Sequence, residues 1–461
     1  MKQRKQRTLI LAVTFLALVG APAVAGAEAF VQCPNDLNQN GIPPTDLNGN
    51  VLDPADLQPT GLPLYPNVKC IHVTGGDGWI TMGDGREMYI FSFSDVSAIN
   101  QGEVLSKGVF RANSPAPTIR VRQYDELYLT LTNVGTHQRP DLFDAHTVHY
   151  HGFPNASAIF DGVPEASIAP NQQASFTYYY NNQDPGTYFW HCHFEATEHM
   201  QMGMLAVLYV EPIQNQNGCV GGGSCPIARL ELPGSPPAGC SPWTTNCGVP
   251  LGYVYNDGDG STAFDVEYVI NLQALDHNFH DASRDVQPLP FAAMKDTYLT
   301  INGRGYPHTT ITGPLHNCAS GIPGGGPVPC PEGHPDGNFA QQESPQPVSA
   351  LVTATAGQKV LLRLNNLSVV RNYSVTVLGL PPMKVVGRGA RLLRGAGQTV
   401  GQNVFVDTSV VTLNAGETTD AIIDTTGVTP GTYFLYTTNL NYLSNDQEDF
   451  GGMMTEIRIN P

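Results

Sequence analysis

Basic residues are scarce in this sequence. Its 461 residues include 23 Lys and Arg against 40 Asp and Glu, which gives a formal net charge of -17. A surface of this sign repels the phosphate backbone, so the composition excludes nucleic-acid binding and favours cationic partners.

Apolar runs long enough to span a membrane are absent. The one notable run, Leu9 to Val19, follows four basic residues and precedes small residues up to Ala27. This order is typical of a secretory signal peptide, and the run is too short for a comfortable membrane anchor. We expect residues 1–27 to be removed and the mature protein to be periplasmic or extracellular.

Helical periodicity is rare, whereas turn formers are abundant, with 48 Gly and 37 Pro. From about Met88, short β-branched or aromatic segments alternate with Gly, Pro, Asn and Asp, which is the pattern of Greek-key β-sandwiches. The sequence therefore predicts an all-β fold of two such domains with long loops. The expected boundaries are a turn-rich segment over 28–84, a first domain over 85–213, a disulfide-rich linker over 214–262 and a second domain over 263–461.

Cysteine is limited to nine residues. Cys192 stands between two histidines and is interpreted as a metal ligand, which leaves an even number for disulfides in an oxidising compartment. We expect pairing between cysteines that are close in the sequence: Cys33 with Cys70, Cys219 with Cys225, Cys240 with Cys247, and Cys318 with Cys330.

One segment concentrates soft metal ligands. Between Gly186 and Met204, an aromatic strand leads into a thiol, three imidazoles and a thioether: His191, Cys192, His193, His199 and Met204. Sulfur with imidazole suits copper better than calcium or magnesium, and Cys, His and a distant Met form a blue-copper donor set. Zinc, or buried side chains without a metal, are the alternatives.

A second segment supplies further imidazoles. In Asp144-Ala-His146-Thr-Val-His149-Tyr-His151-Gly152 the residues alternate along a probable strand, so His149 and His151 face one side and His146 the other. One strand can therefore serve two metal centres.

With these motifs the sequence resembles the multicopper oxidases, which carry the same His-x-His-Gly and His-Cys-His patterns. The resemblance implies cupredoxin-like domains, copper as the cofactor and dioxygen as the electron acceptor. It makes His146, Cys192, His199 and Met204 the type 1 copper ligands. It makes His149 a ligand of type 2 copper, and His151, His191 and His193 ligands of the type 3 pair.

Two carboxylates also match acidic positions of that family. Asp161 and Glu195 stand where family members deliver protons during dioxygen reduction, which consumes protons. The alternative roles are orientation of histidine ligands and, for Asp161, turn formation.

An internal repeat supports two similar domains. Pro185-Gly-Thr-Tyr-Phe189 recurs as Pro430-Gly-Thr-Tyr-Phe434, and Leu127–Asn133 is echoed by Val360–Asn366. The second copy has lost the metal ligands. Tyr436, Thr437 and Thr438 replace the His-Cys-His triple, and Tyr373, Thr376 and Leu378 replace His146, His149 and His151.

This loss bears on the function, because a complete trinuclear cluster in the family uses eight histidines and these motifs offer four. The remaining ligands would come from a neighbouring subunit, in a trimer or another closed ring, or from elsewhere in the chain. The candidates within the chain are His277, His280, His308, His316 and His334.

Three functions remain open from the sequence. The first is an oxidase that passes electrons from a donor through type 1 copper to a cluster that reduces dioxygen to water. The second is a non-catalytic electron-transfer or copper-carrier protein, and the third is an enzyme similar to copper nitrite reductase. The donor would be a phenol, a metal ion or a redox protein.

Two loops rich in Asp, Asn and Gly resemble calcium-binding loops. Asp36-Leu-Asn38-Gln-Asn40-Gly41 is similar to the start of an EF-hand loop, but Leu47 stands where that loop needs a Glu. We favour simple turns for this loop and for Asn256–Ser261.

Overall fold

The computed structural model describes residues 29–154, 156–167, 174–215, 252–315, 345–448 and 451–461. The expected signal peptide lies outside the described residues. The same holds for two histidines and six cysteines of the sequence analysis: His316, His334, Cys219, Cys225, Cys240, Cys247, Cys318 and Cys330.

The first domain is a sandwich of two four-stranded sheets. Its strands are β1 (Val68–Thr81), β2 (Glu87–Asp95), β3 (Ile119–Arg122), β4 (Glu126–Gly135), β5 (His149–His151), β6 (Ala174–Asn181), β7 (Gly186–His191) and β8 (Leu205–Glu211). The sheet orders are β2-β1-β4-β6 and β3-β8-β7-β5. Leu127, Leu129 and Leu131 of β4 point together into the core that also contains Cys192, because alternate residues of a strand share a face.

The second domain repeats this plan. Its strands are β9 (Gly252–Tyr253), β10 (Ala263–Phe264), β11 (Val266–Leu275), β12 (Tyr298–Ile301), β13 (Val352–Thr355), β14 (Lys359–Asn366), β15 (Tyr373–Leu378), β16 (Met383–Arg388), β17 (Arg391–Leu392), β18 (Val406–Thr408), β19 (Val410–Leu413), β20 (Thr418–Asp424), β21 (Gly431–Thr437) and β22 (Met454–Asn460). One sheet has the order β12-β11-β14-β20-β16-β17, with β18 paired to β16, and the other has the order β13-β22-β21-β15-β19.

The strand pairing confirms the repeat residue by residue. In the first domain His149 pairs with His191 and His151 with Phe189, whereas in the second Thr376 pairs with Tyr436 and Leu378 with Phe434. The predicted all-β fold of two Greek-key sandwiches is confirmed, and the second sandwich keeps the scaffold without the metal-binding side chains.

Helices are few and short. The α-helices are α1 (Val104–Lys107), α2 (Ala196–Met202) and α3 (His277–Arg284). Single 3-10 turns lie at Pro54–Asp56, Gln101–Glu103, Ile213–Asn215, Phe291–Ala293, His308–Thr310, Ala396–Gln398 and Leu440–Leu443. In the described part of the chain, no helix combines the length and apolar character needed to cross a bilayer.

The start of the first domain differs from the prediction. Strand β1 lies within 28–84, a segment that the sequence predicts as turn-rich, and pairs with both β2 and β4. The prediction that strands begin near Met88 was therefore wrong. The expected disulfide between Cys33 and Cys70 is confirmed and attaches the N-terminal segment to β1.

Candidate metal centre

The two histidine-bearing motifs meet because β5 and β7 are neighbours in one sheet. After β7 the chain passes through Cys192, forms α2 and returns as β8. Backbone hydrogen bonds close this loop, since Met204 N donates to His199 O (2.8 Å) and Cys192 N donates to Met204 O (3.1 Å). Residues that are separated along the loop therefore lie beside one thiol.

His146, Cys192 and His199 form what we call the cysteine group. Their ligand atoms lie within 4.8 Å of one another, and all three side chains are fully buried. The Cys192 Sγ lies 3.2 Å from His199 Nδ1. Met204 is also buried and follows in the same core, and its backbone contacts both Cys192 and His199.

The electrostatics of the cysteine group fit a bound cation. Burial raises the pKa of the Cys192 thiol to about 12 and lowers the pKa of His146 to about 3. Neither ring nitrogen of His146 has a hydrogen-bond partner. A metal ion would satisfy these nitrogens and hold the thiolate, because thiolate and neutral imidazole are the forms that bind metals.

His149, His151, His191 and His193 form the histidine cluster. Ligand atoms of the first three lie within 4.8 Å of one another, and the His193 ring centre is 4.8 Å from that of His149. His151 Nδ1 and His191 Nε2 are 3.3 Å apart. Burial, followed by the neighbouring histidines, lowers the pKa of His151 to about 4, so this imidazole is neutral and able to bind a metal.

Hydrogen bonds orient two of these rings. His149 Nδ1 donates to the carbonyl of Asp161 (2.6 Å), and His191 Nδ1 donates to the carbonyl of Cys192 (2.8 Å). Each bond leaves the other ring nitrogen available as a ligand. His146 lies on the opposite side of the strand from His149 and His151, as the alternation predicts.

The two predicted acids have different surroundings. Asp161 lies beside the histidine cluster, with its Oδ1 3.3 Å from His149 Nδ1. Glu195, in contrast, has its Oε2 4.0 Å from His199 Nε2. The structure thus corrects the expectation for Glu195, which belongs with the cysteine group and not with the histidine cluster.

Sequence reasoning missed a third acid. Asp144 Oδ2 lies 3.8 Å from His199 Nε2, and Asp144, Glu195 and His199 together form a further potential metal-binding group. Burial, then the charge of Glu195, raises the pKa of Asp144 to about 6. The available signal was its position two residues before His146, at the head of the motif.

Three further histidines that the sequence analysis considered and the structure describes, His277, His280 and His308, lie outside the cluster. Both ring nitrogens of His280 face backbone carbonyls, those of Tyr89 (2.6 Å) and Gln201 (3.1 Å). His277 Nδ1 contacts Thr297 Oγ1 at 3.0 Å. Among the described residues, neither of these nor His308 lies in a potential metal-binding group, so within one chain they are not brought to the histidine cluster.

The second domain contacts the cluster through a loop without ligands. A Cβ atom on Gly416 would lie 3.8 Å from His151 Nε2 and 3.6 Å from Phe189 Cζ. This loop therefore lies against the edge of the His151 ring.

Comparison with known proteins agrees with this geometry. The family model for multicopper oxidases matches residues 100–215, which include both groups. Residues 100–215 are therefore similar to a multicopper oxidase domain. Copper is the metal that this family implies, and the buried thiolate and imidazoles are suited to it.

The fold of most of the chain is similar to that of solved copper oxidases. The blue copper oxidase from Nitrosomonas europaea is similar over 85% of this chain and 86% of its own, with a TM-score of 0.52 and 18% identity. A multicopper oxidase called mgLAC has the same coverage, a TM-score of 0.53 and 16% identity. These similarities establish a cupredoxin-type fold. Curated protein sequences yielded no match.

Proposed function

We propose that the protein is an exported copper oxidase that accepts electrons at the cysteine group and delivers them to dioxygen at the histidine cluster. The proposal depends on how the two groups are connected. Cys192 belongs to the cysteine group, while the preceding residue, His191, belongs to the histidine cluster. The two groups are therefore joined by a few covalent bonds of the backbone.

Copper bound at these groups supplies one-electron redox chemistry. In this proposal the type 1 ligands are His146, Cys192, His199 and Met204. The ligands of the type 2 and type 3 coppers are His149, His151, His191 and His193.

Hydrogen bonds from neighbouring groups of the chain favour the ligand forms of these side chains and orient them. Thr147 N donates to the Cys192 Sγ (3.4 Å) and so favours the thiolate. The Asp161 carbonyl holds His149 with its Nε2 free. The Asp161 carboxyl, whose pKa is raised by burial, is positioned to donate a proton when dioxygen is reduced.

We further propose that the donor is a reducing metal cation. Asp144 and Glu195 lie within 4.0 Å of His199 Nε2, and the Nδ1 of the same ring contacts the Cys192 Sγ. Glu198 stands on the same helix, and burial with the charges of Asp144 and Glu195 raises its pKa to about 7. Three carboxyl groups in one place attract cations and offer them oxygen ligands.

A copper carrier with an incomplete cluster is the second candidate. It is favoured by the fact that the described residues of the second domain add no histidine to the four of the cluster. The oxidase requires the remaining ligands from another subunit or from residues outside the described ranges. We therefore expect an active oxidase to be a closed ring such as a trimer.

Copper content separates the candidates. The purified mature protein is loaded with copper, and copper per chain, the ratio of type 1 to type 2 paramagnetic signal, and uptake of dioxygen are measured. Four coppers with dioxygen uptake support the oxidase. One copper with a type 1 signal alone supports the carrier, and loss of nitrite without dioxygen uptake supports a nitrite reductase.

A further inference from the structure

The N-terminal segment brings three carboxylates around two asparagines. Asn38 N donates to Asp56 Oδ1 (3.2 Å), and Asn40 N donates to Asp36 Oδ1 (3.1 Å). The side-chain amides of Asn38 and Asn40 both contact Asp53 Oδ2, at 2.9 and 2.7 Å. Asp53 is the N-cap of the 3-10 turn Pro54–Asp56, and Asp56 is the last residue of that turn, which follows the loop in the chain.

Asp56 is the unusual member of this set. Its side chain is almost completely buried, with 1% of its surface exposed, and its Oδ2 has no hydrogen-bond partner. In the described part of the chain, no basic side chain forms an ion pair with Asp36, Asp53 or Asp56. Burial, followed by the charges of Asp53 and Asp36, raises the pKa of Asp56. A buried carboxylate without a counter-charge is costly unless a cation is bound.

We propose that Asp36, Asn38, Asn40, Asp53 and Asp56 form a calcium-binding site. All five offer oxygen ligands, which suit a hard divalent cation and not copper. The amide oxygens of Asn38 and Asn40 accept from Asn40 N (3.0 Å) and Ile42 N (2.7 Å). An amide oxygen has two lone pairs, so each retains one with which to bind a cation.

The site explains why the EF-hand test fails on the sequence. An EF-hand loop takes its last ligand from its own twelfth position, where this chain has Leu47. Here the carboxylates that the loop lacks come from Asp53 and Asp56 of the following 3-10 turn. A search for the loop motif does not extend to that turn. The site is therefore assembled by the fold of the segment rather than by the loop alone.

The second loop that resembles a calcium loop provides an internal comparison. Asp257 is fully buried, but its Oδ1 accepts from Gln214 Nε2 (2.9 Å) and its Oδ2 accepts from Thr262 N (2.7 Å). Arg394 lies 3.8 Å from the neighbouring Asp259. Both oxygens of Asp257 thus have protein partners, whereas Asp56 Oδ2 has none, and Arg394 supplies a counter-charge beside this second loop.

Bound calcium would stabilise the contact between the N-terminal segment and the first domain. Gln101 N donates to Asn40 O (2.9 Å), and Gln101 Nε2 donates to Gln39 O (2.9 Å). Gly41, with φ +82°, packs so closely that a Cβ atom there would lie 2.5 Å from Gln101 Cβ. A cation that stiffens 36–41 therefore stabilises this contact.

The test uses the full mature protein loaded with copper and passed over a chelating resin. Titration with calcium is followed by calorimetry and by the thermal unfolding temperature, with magnesium titrated in parallel. We expect one calcium per chain, a rise of several degrees, and much weaker binding of magnesium, which tolerates irregular sites poorly.

Asp56→Asn and Asp36→Asn should each weaken calcium binding by about ten-fold or more. The matched control is Asp285→Asn, because Asp285 is exposed at the end of α3 and pairs with Arg284 at 2.7 Å. The control should bind calcium like the parent. Absence of calcium binding by the parent, or equal binding by Asp56→Asn and Asp285→Asn, would overturn the proposal. The blue absorption of Cys192 is independent of this site, so the result does not depend on the proposed oxidase activity.

Discussion

The hydroxyl of Thr187 donates a 2.5 Å hydrogen bond to Asp420 across the boundary between the two domains. Thr187 lies on β7, the strand that leads into Cys192. The same hydroxyl accepts from Arg363 Nη1 (2.8 Å), and Arg363 also pairs with Glu267 at 2.9 Å. The second domain therefore supports the strand that carries the metal ligands.

Replacement of Arg363 by Met tests this support. Arg363 is 1% exposed, and its loss would leave Asp420 buried without its counter-charge. We expect a loss of about 3–5 kcal/mol of unfolding free energy, measured by denaturant unfolding. The control is Arg458→Met, whose pair with Glu456 is partly exposed and should contribute less than about 1 kcal/mol. Equal losses for the two variants would contradict the structural role of Arg363.

Replacement of Cys192 by Ser tests the type 1 assignment. The variant should lose the blue absorption and bind one copper fewer, while its fold is retained, because Ser is similar in size but is a poor copper ligand. Met202→Leu, which alters a buried sulfur next to the site, should keep the colour. A blue Cys192→Ser protein would rule out the assignment.

Neutralisation of the acids near His199 tests the cationic donor. Asp144→Asn combined with Glu195→Gln should raise KM for a reducing metal cation about ten-fold and leave the oxidation of a neutral phenol unchanged. Asp407→Asn removes an exposed carboxylate of the second domain and should change neither substrate. Parallel losses with the cation and the phenol would show that the acids act on the copper site itself.

Asp161→Asn tests proton delivery. Because the backbone carbonyl of Asp161 still holds His149, copper content should remain unchanged while dioxygen uptake falls by about 100-fold. Glu165→Gln, an exposed residue of the same loop, is the control. If Asp161→Asn lost copper in proportion to activity, orientation of His149 would be its role instead.

Glu448 makes the stability of the protein depend on pH. Burial raises its pKa from 4.5 to about 7, so the folded state holds a proton that the unfolded chain releases. Its contribution to stability is present below pH 4.5 and is lost as pH rises to about 7. Glu448→Gln should therefore increase the thermal unfolding temperature progressively over this range. Glu417→Gln should show the opposite sign, because hydrogen bonds from Asn414 lower the pKa of Glu417.

The local patterns were sufficient for much of the fold and the site. The period of two along 146–151 predicts that His149 and His151 share a face, and the structure places these two in one group and His146 in the other. The repeated Pro-Gly-Thr-Tyr-Phe segment predicts the register of the second domain, down to Thr376 opposite Tyr436. These predictions succeed because side-chain alternation is a property of the strand itself.

Strand β1 shows where local patterns fail. It contains Gly75, Gly76 and Gly78, and glycine is disfavoured in strands. The structure explains Gly75, because a Cβ atom there would lie 2.7 Å from His146 Cδ2. Strand β1 approaches His146 so closely that only glycine fits at position 75. The same glycine lowers the strand propensity of the segment, which is why the sequence does not predict β1.

The sequence by itself determined the two sandwiches, the candidate ligand motifs and the loss of those motifs from the second sandwich. The tertiary structure alone decided which acids accompany which metal group: Glu195 lies with His199, Asp144 joins it, and Asp53 and Asp56 complete the Asp36 loop. The physical reason is that ligand spacing within a strand is local, whereas the charges around a site come from segments that only the folded chain brings together.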